Sequence, residues 1–281
     1  MKRLTVFAIA AFFLLSLASF AQETPYNGRN IGYLLSVGKL SLYEEYLSTL
    51  PYEGTSIGLT VDRFKLSARH CNVAYQSLLQ IDYAKSHNHA GNGTMLYGMI
   101  KYHWGMHYRW RILNQLDLYG GGLAGGYAGG IYNIRNSNNP AQAKFNIGIS
   151  LSGKAVYKLR LGKYTAYLQG QSFWHVLGCT FSPHFGQSYY EIFSLNNKKG
   201  VFLLSSFHNT LDIDNRLSVD FPTRIGTLRM GYEHFFLKTK LHKIDTQINR
   251  HAFTIGFVKE GLLFNHKSKK KPDNYQSPIY D

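Results

Sequence analysis

From Phe145 to Leu159 the odd positions carry Phe145, Ile147, Ile149, Leu151, Ala155, Tyr157 and Leu159, whereas the even ones carry Asn146, Gly148, Ser150, Ser152, Lys154 and Lys158. A greasy face and a polar face repeating every second residue is the period of a strand, not of a helix. The rhythm recurs down the chain. Tyr164, Ala166, Leu168 and Trp174 oppose Thr165, Tyr167, Gln169 and Gln171. Ile213, Leu217, Val219 and Phe221 oppose Asp212, Asp214, Arg216, Ser218 and Asp220, and Leu228, Met230 and Tyr232 oppose Thr227, Arg229 and Glu233. Residues 96–106 and 112–118 follow it less cleanly. About ten strands are expected, near 30–40, 54–66, 73–86, 94–108, 111–126, 143–160, 163–176, 211–222, 225–238 and 247–260, with eight or twelve as the competing counts.

Two all-β architectures alternate in this way, and they differ in which face is inside. A soluble β-sandwich turns its apolar face into a two-sheet core. Here the apolar set is long and unbroken, and the facing set includes Lys154, Asp214, Arg216, Asp220, Arg229 and Glu233. That pattern predicts a transmembrane antiparallel up-and-down β-barrel with lipid outside and charges inside, the exported sandwich being the alternative. The predicted connections are unequal in the way such a barrel requires. Residues 108–111, 160–163 and 222–225 read as short turns, while 51–52, 86–93, 127–140 and 178–209 read as longer, polar or Gly-rich links. Tyr102, Trp104, Tyr108, Trp110, Tyr157, Tyr164, Trp174 and Tyr232 are placed at strand ends as an aromatic girdle. A barrel of this size is a filled cylinder, so Arg216 and Arg229 are expected to pair with Asp212, Asp214, Asp220 and Glu233 in the lumen.

Composition agrees with a folded, exported chain. The 281 residues are 44% hydrophobic and 15% aromatic, too apolar for disorder. Met1-Lys2-Arg3, the apolar run to Leu17 and Ser19-Phe20-Ala21 read as a signal peptide over 1–21, cleaved after Ala21. A single barrel domain is expected over 22–264, with a basic polar tail over 265–281. No other run approaches the length of a membrane-spanning helix. Two cysteines, Cys71 and Cys179, allow at most one bridge. The formal charge of +15 is scattered apart from Lys267, Lys269, Lys270 and Lys271, and no nucleic-acid-binding module accompanies it. The tail reads as solvated, or as a contact for acidic lipid or cell-wall groups.

Several chemical motifs fail on context. Gly120, Gly122 and Gly125 match a dinucleotide fingerprint, but the run from Tyr119 to Gly130 leads into no helix, so its glycines mark a bent strand end or a close backbone approach. His87-x-His89 lacks a third ligand, so neither a metal nor a cofactor is expected. His103 and His107 read as interfacial. One pair has enzymatic character: Ser206 and His208 share a face if extended, with Asn209 or Asp212 available to steer the imidazole, which is what a serine hydrolase needs.

Tyr46 to Gly54, Trp104-Gly105-Met106, Arg109-Trp110-Arg111, Ile131 to Pro140, Tyr189-Tyr190-Glu191-Ile192 and Phe207-His208-Asn209 resemble the recurring blocks of an uncharacterised family of exported β-barrels from Bacteroidota-type bacteria. The resemblance spans nearly the whole mature chain. It implies an outer-membrane location and carries no activity or catalytic residues. Tyr52, Arg135, Asn136, Asn138 and Asn139 fall in the longer predicted links, where recognition residues concentrate. They are the expected surface for a ligand or envelope partner, unless Asn and Pro simply build turns there. The readings that emerge are a non-enzymatic envelope barrel surrounded by outer-membrane lipid, a membrane-embedded lipid esterase or deacylase using Ser206 and His208, and a soluble binding sandwich.

Overall fold

A computed structural model describes residues 26–67, 72–137, 139–197, 199–223, 226–262, 275–277 and 279–280. The signal segment, Cys71, Asn138 and the four tail lysines lie outside the described residues. In chain order the elements are β1 (Tyr26–Glu44), β2 (Ser48–Leu66), β3 (Val73–Asn88), β4 (Thr94–Leu113), β5 (Leu116–Asn133), β6 (Ala141–Leu161) and β7 (Tyr164–Phe181). A short helix α1 (Tyr189–Phe193) and β8 (Phe202–Ser206) follow, then β9 (Thr210–Pro222), β10 (Thr227–Leu241), β11 (Ile244–Leu262) and β12 (Tyr275–Gln276).

All strands but β8 and β12 form a ten-stranded antiparallel ring, in which each neighbour follows the last and β11 returns to β1 from Gly28↔Leu262 to Glu44↔Thr246. The ten expected strands are all present. β8 runs in the direction of β9 and pairs with the end of β7, so residues 207–209 loop out between two pieces of one strand position. The end where β1 begins is the base, and the opposite end the crown. The β2–β3, β4–β5, β6–β7 and β9–β10 links lie at the base; the crown carries the β5–β6 link and the long segment between β7 and β9 that holds α1 and β8.

Strand ends are where the sequence reading falls short. Residues 51–52, 86–88, 127–133 and 178–181 belong to strands, and the turn expected at 108–111 lies at 114–115. At the base end of β4 the outward row stays apolar through Trp110 and Ile112, and pairing with β5 continues to Leu113↔Leu116. Tyr102, Trp104, Trp174 and Tyr232 sit within these longer strands and not at their ends.

Sidedness excludes the sandwich. Ile147 is 58% exposed, Leu168 40% and Met230 47%, while Arg229 is 5% and Arg250 0% exposed. On β2 the outward row reads Glu53, Thr55, Ile57, Leu59, Val61, Arg63, an oily belt with a charge at each margin. Gly121, Gly125, Gly126 and Gly129 of β5 serve close approach, as one of the two sequence readings has it: a Cβ on Gly126 would fall 1.9 Å from the Asn146 carbonyl oxygen.

The lumen is filled in layers. At the crown a dry cluster includes Leu40, Leu42, Tyr97, Phe235, Leu237 and Ile248. At the base, Phe64, Leu66, Tyr119, Val156 and Tyr167 enclose Ile279, with Tyr280 against them. The described end of the tail therefore returns into the barrel mouth instead of extending into solvent. Charges occupy the waist between. His103 and His107 face the lumen, His103 stacked on Phe173 and His107 1% exposed, so they are not interfacial.

Candidate functional site

The waist is an ion-pair network built from inward positions of six strands. Arg229 grips Asp220 through two bonds of 2.7 Å and reaches Asp62 at 3.4 Å. Arg250 lies between Asp82 and Glu233, each at 3.3 Å, and donates to Ser36 and Ser56. Arg216 binds Asp214 at 3.0 Å and Glu233 at 3.7 Å. Lys101 sits 3.5 Å from Asp214 with its ammonium 3.3 Å above the Phe235 ring. Of the carboxylates named from sequence, Asp214, Asp220 and Glu233 join the network, whereas Asp212 has no ion pair within it. Partners this close and this buried hold strands in register. The space beside Arg229 and Asp62 is about 30 Å³, room for little beyond a water or two.

The crown gives a mixed account of the predicted recognition residues. Tyr52 points into the dry cluster at 4% exposure, so it is no loop residue; its neighbours on β2 pair regularly with β3. Arg135 is exposed at the tip of the β5–β6 connection. Asn136 accepts from the Asn139 amide at 3.2 Å, and Asn133 accepts from the Arg135 amide and donates to the Leu47 carbonyl. These asparagines build the turn, leaving Arg135 as the projecting group. Asn138 lies outside the described residues. Beside them, α1 is capped by Ser188, and Tyr189 accepts from the Ala143 amide while donating to Gln142. Burial pushes the Tyr189 hydroxyl up to about 12.

Ser206 and His208 do meet, Oγ to Nδ1 at 2.5 Å, in the loop-out between β8 and β9. Asp212 does not join them, because Ser206 faces outward and Asp212 faces the lumen. Asn209 is occupied elsewhere, accepting from the Ser206 amide and donating to the Leu204 carbonyl. A second Ser–His contact, invisible in the sequence, joins inward Ser205 to His175 at 3.1 Å, with Asn146 donating to the same hydroxyl. Ser205 is fully buried, so this trio is structural. His87 contacts Thr94 at 3.0 Å, and no three His, Cys, Asp or Glu side chains group as a metal site among the described residues. Cys179 is a free thiol.

The outer-membrane protease OmpT of Escherichia coli superposes with a TM-score of 0.51 at 6% identity, covering 86% of this chain and 99% of that one. The translocator domain of the autotransporter NalP of Neisseria meningitidis matches at TM-score 0.39 and 10% identity, covering 91% and 97%. The transport unit of the Escherichia coli autotransporter AIDA-I gives 0.37 and 9%, covering 86% and 93%. At these identities the likeness is one of fold. No curated protein sequence matches the chain. Residues 7–268 match the family DUF3316, described as a protein of unknown function. The chain belongs to that family and is built as an outer-membrane type of β-barrel.

Proposed function

We propose that the protein resides in the bacterial outer membrane as a closed, non-conducting and non-enzymatic barrel, with crown connections that offer a binding surface to a ligand or envelope partner outside the bilayer. One observation supports this above all: an oily belt faces outward around an uninterrupted ring while the lumen is packed from crown to base. Longer connections belong on the outer side of such barrels, which sets the crown outward and the base toward the periplasm. Fractionation of envelopes expressing the full chain is the test: extraction only by detergent and no single-channel steps in planar bilayers are expected. Recovery in the soluble fraction without detergent sinks the location; stable conductance sinks the filled lumen.

The Ser206–His208 contact supports a second reading, a lipid esterase. Among the described residues no group steers the imidazole, because Asp212 is on the other face of the sheet. Ser206→Ala and His208→Ala are expected to leave turnover of a lipid ester by detergent-solubilised protein at background. A Ser206-dependent ester cleavage would establish the esterase instead.

A further inference from the structure

At the base, the outward rows of β1 and β2 end in cations. Arg29 stands directly opposite Lys65, and one step further along the same pair of strands Ile31 faces Arg63. All three cations are exposed. Directly opposed residues have Cα atoms about 5 Å apart, and like charges so placed repel. The residues paired with them on the outer sides are Gly261, Lys259, Tyr75 and Ser77, so no acid faces them from either neighbouring strand. Arg111, at the same end of the barrel, has its own carboxylate in Asp117 at 3.3 Å. The cluster on β1 and β2 is therefore a surplus of charge that the chain leaves unneutralised.

These cations open onto a groove of about 570 Å³. Arg29, Arg63 and Lys65 line its polar mouth, and Tyr102 and Trp104 of β4 form its far wall. Ser77 lies between Arg63 and Trp104 at one level of the sheet, and its short side chain makes the floor. Ser77 Oγ and Tyr102 Oη bond to each other at 3.2 Å, which ties the floor to the wall. Lys65 Nζ rests 5.5 Å from the Tyr75 ring centroid, at the rim. Toward the waist the outward rows of β2 and β3 continue as Val61, Leu59, Leu79 and Ile81, so a cationic mouth passes directly into the oily belt.

We propose that this groove binds one anionic glycerophospholipid, its phosphodiester held by Arg29, Arg63 and Lys65 and an acyl chain lying over Ser77 against Trp104 and Tyr102. The inference rests on the reading of the belt as lipid-facing, which sets the mouth at the headgroup level of the leaflet beside the base. Charge complementarity selects the head: a phosphate accepts from guanidinium and ammonium groups, whereas a zwitterionic head brings a cation that three basic groups repel. The aromatic wall selects a ligand whose charge is followed by hydrocarbon. The volume lies in the range of small-molecule sites. A second copy of the chain is the poorer occupant, since an isologous contact sets the same cations against one another.

The test is native mass spectrometry of the full chain in detergent, titrated with phosphatidylglycerol or with phosphatidylcholine of the same acyl chains. One retained phosphatidylglycerol per barrel is expected, preferred about tenfold or more, because each basic residue near a lipid surface favours an anionic head by about fivefold. Arg63→Gln combined with Lys65→Gln is expected to cut that preference by about tenfold or more. Lys39→Gln combined with Lys85→Gln removes the same charge at the opposite margin and is expected to leave it unchanged. Ser77→Phe keeps every charge, fills the floor and is expected to weaken phosphatidylglycerol binding by about tenfold. Each variant is compared after its far-ultraviolet circular dichroism is matched to the wild type. Equal retention of the two lipids, an equal loss in the two double variants, or unchanged binding in Ser77→Phe overturns the site. So does displacement by water-soluble glycerophosphoglycerol as effective as by the lipid, which assigns the cations to a free phosphate ester. Carbonate extraction of membranes holding the wild type separates the two readings: if the protein stays in the membrane, a missing lipid preference counts against the groove alone, and if it is released, the lipid-facing belt falls with it.

Discussion

The waist and the crown of the lumen are equally buried but are filled in different proportions, mostly by charge at one and mostly by hydrocarbon at the other. At the waist, Arg216, Arg229, Arg250 and Lys101 face Asp62, Asp82, Asp214, Asp220 and Glu233. At the crown, Leu40, Leu42, Leu237 and Ile248 pack as an apolar cluster, with the buried pair Glu44 and Lys144 beside it. A charged layer is all-or-none, because removing one member strands its partners in low dielectric. An apolar layer is graded, because each methyl group removed leaves only its own void. The difference teaches where this barrel is brittle and where it is tolerant.

The largest effect is expected where the waist is broken. Arg250→Ala leaves Asp82 and Glu233 short of a cation and should lower stability by about 3–5 kcal/mol, read as a drop in the urea midpoint of the refolded barrel. Leu42→Ala, at a position fully buried in the crown, should cost about 2–4 kcal/mol. If Leu42→Ala proves the more damaging, the contrast between the layers is wrong. At the base, Tyr280 donates to Asp220 at 2.5 Å and rests edge-on against Tyr167. Tyr280→Phe keeps the ring contact and loses the bond, an expected loss of about 1–2 kcal/mol in the same assay. The smallest effect concerns pH. Tyr189 ionises near 12 when folded and near 10 when free. Its contribution is therefore intact below about pH 10 and lost as pH rises through about 12. An ultraviolet difference titration of the wild type against Tyr189→Phe should place the Tyr189 step above that of the remaining exposed tyrosines.

Ten strands and their sidedness were legible because an oily outward row against a charged inward row is a local signal. What escaped was set by tertiary partners. Leu40 and Leu42 face inward like the charges of the waist, so period alone could not separate a dry crown from a polar centre. Tyr52 falls in a predicted link, yet it pairs with Leu42 of β1 and Asn88 of β3. The Ser206–His208 contact was readable from spacing, whereas the face of Asp212 depended on the loop-out after β8. His175 with Ser205, and Arg63 with Trp104 across Ser77, join residues far apart in sequence and left no local trace. Nor did the glycines of β5 disclose which of them a neighbouring carbonyl demands.

The pairing of β1 with β11 has a temporal consequence. The first strand to emerge from synthesis has as its permanent neighbour nearly the last, so two long unpaired margins persist until the whole chain is made. Such margins invite wrong partners. Successful biogenesis then depends on something that shelters both until they zip together, and a chain truncated before Ile244 would remain an open sheet however well its other hairpins formed.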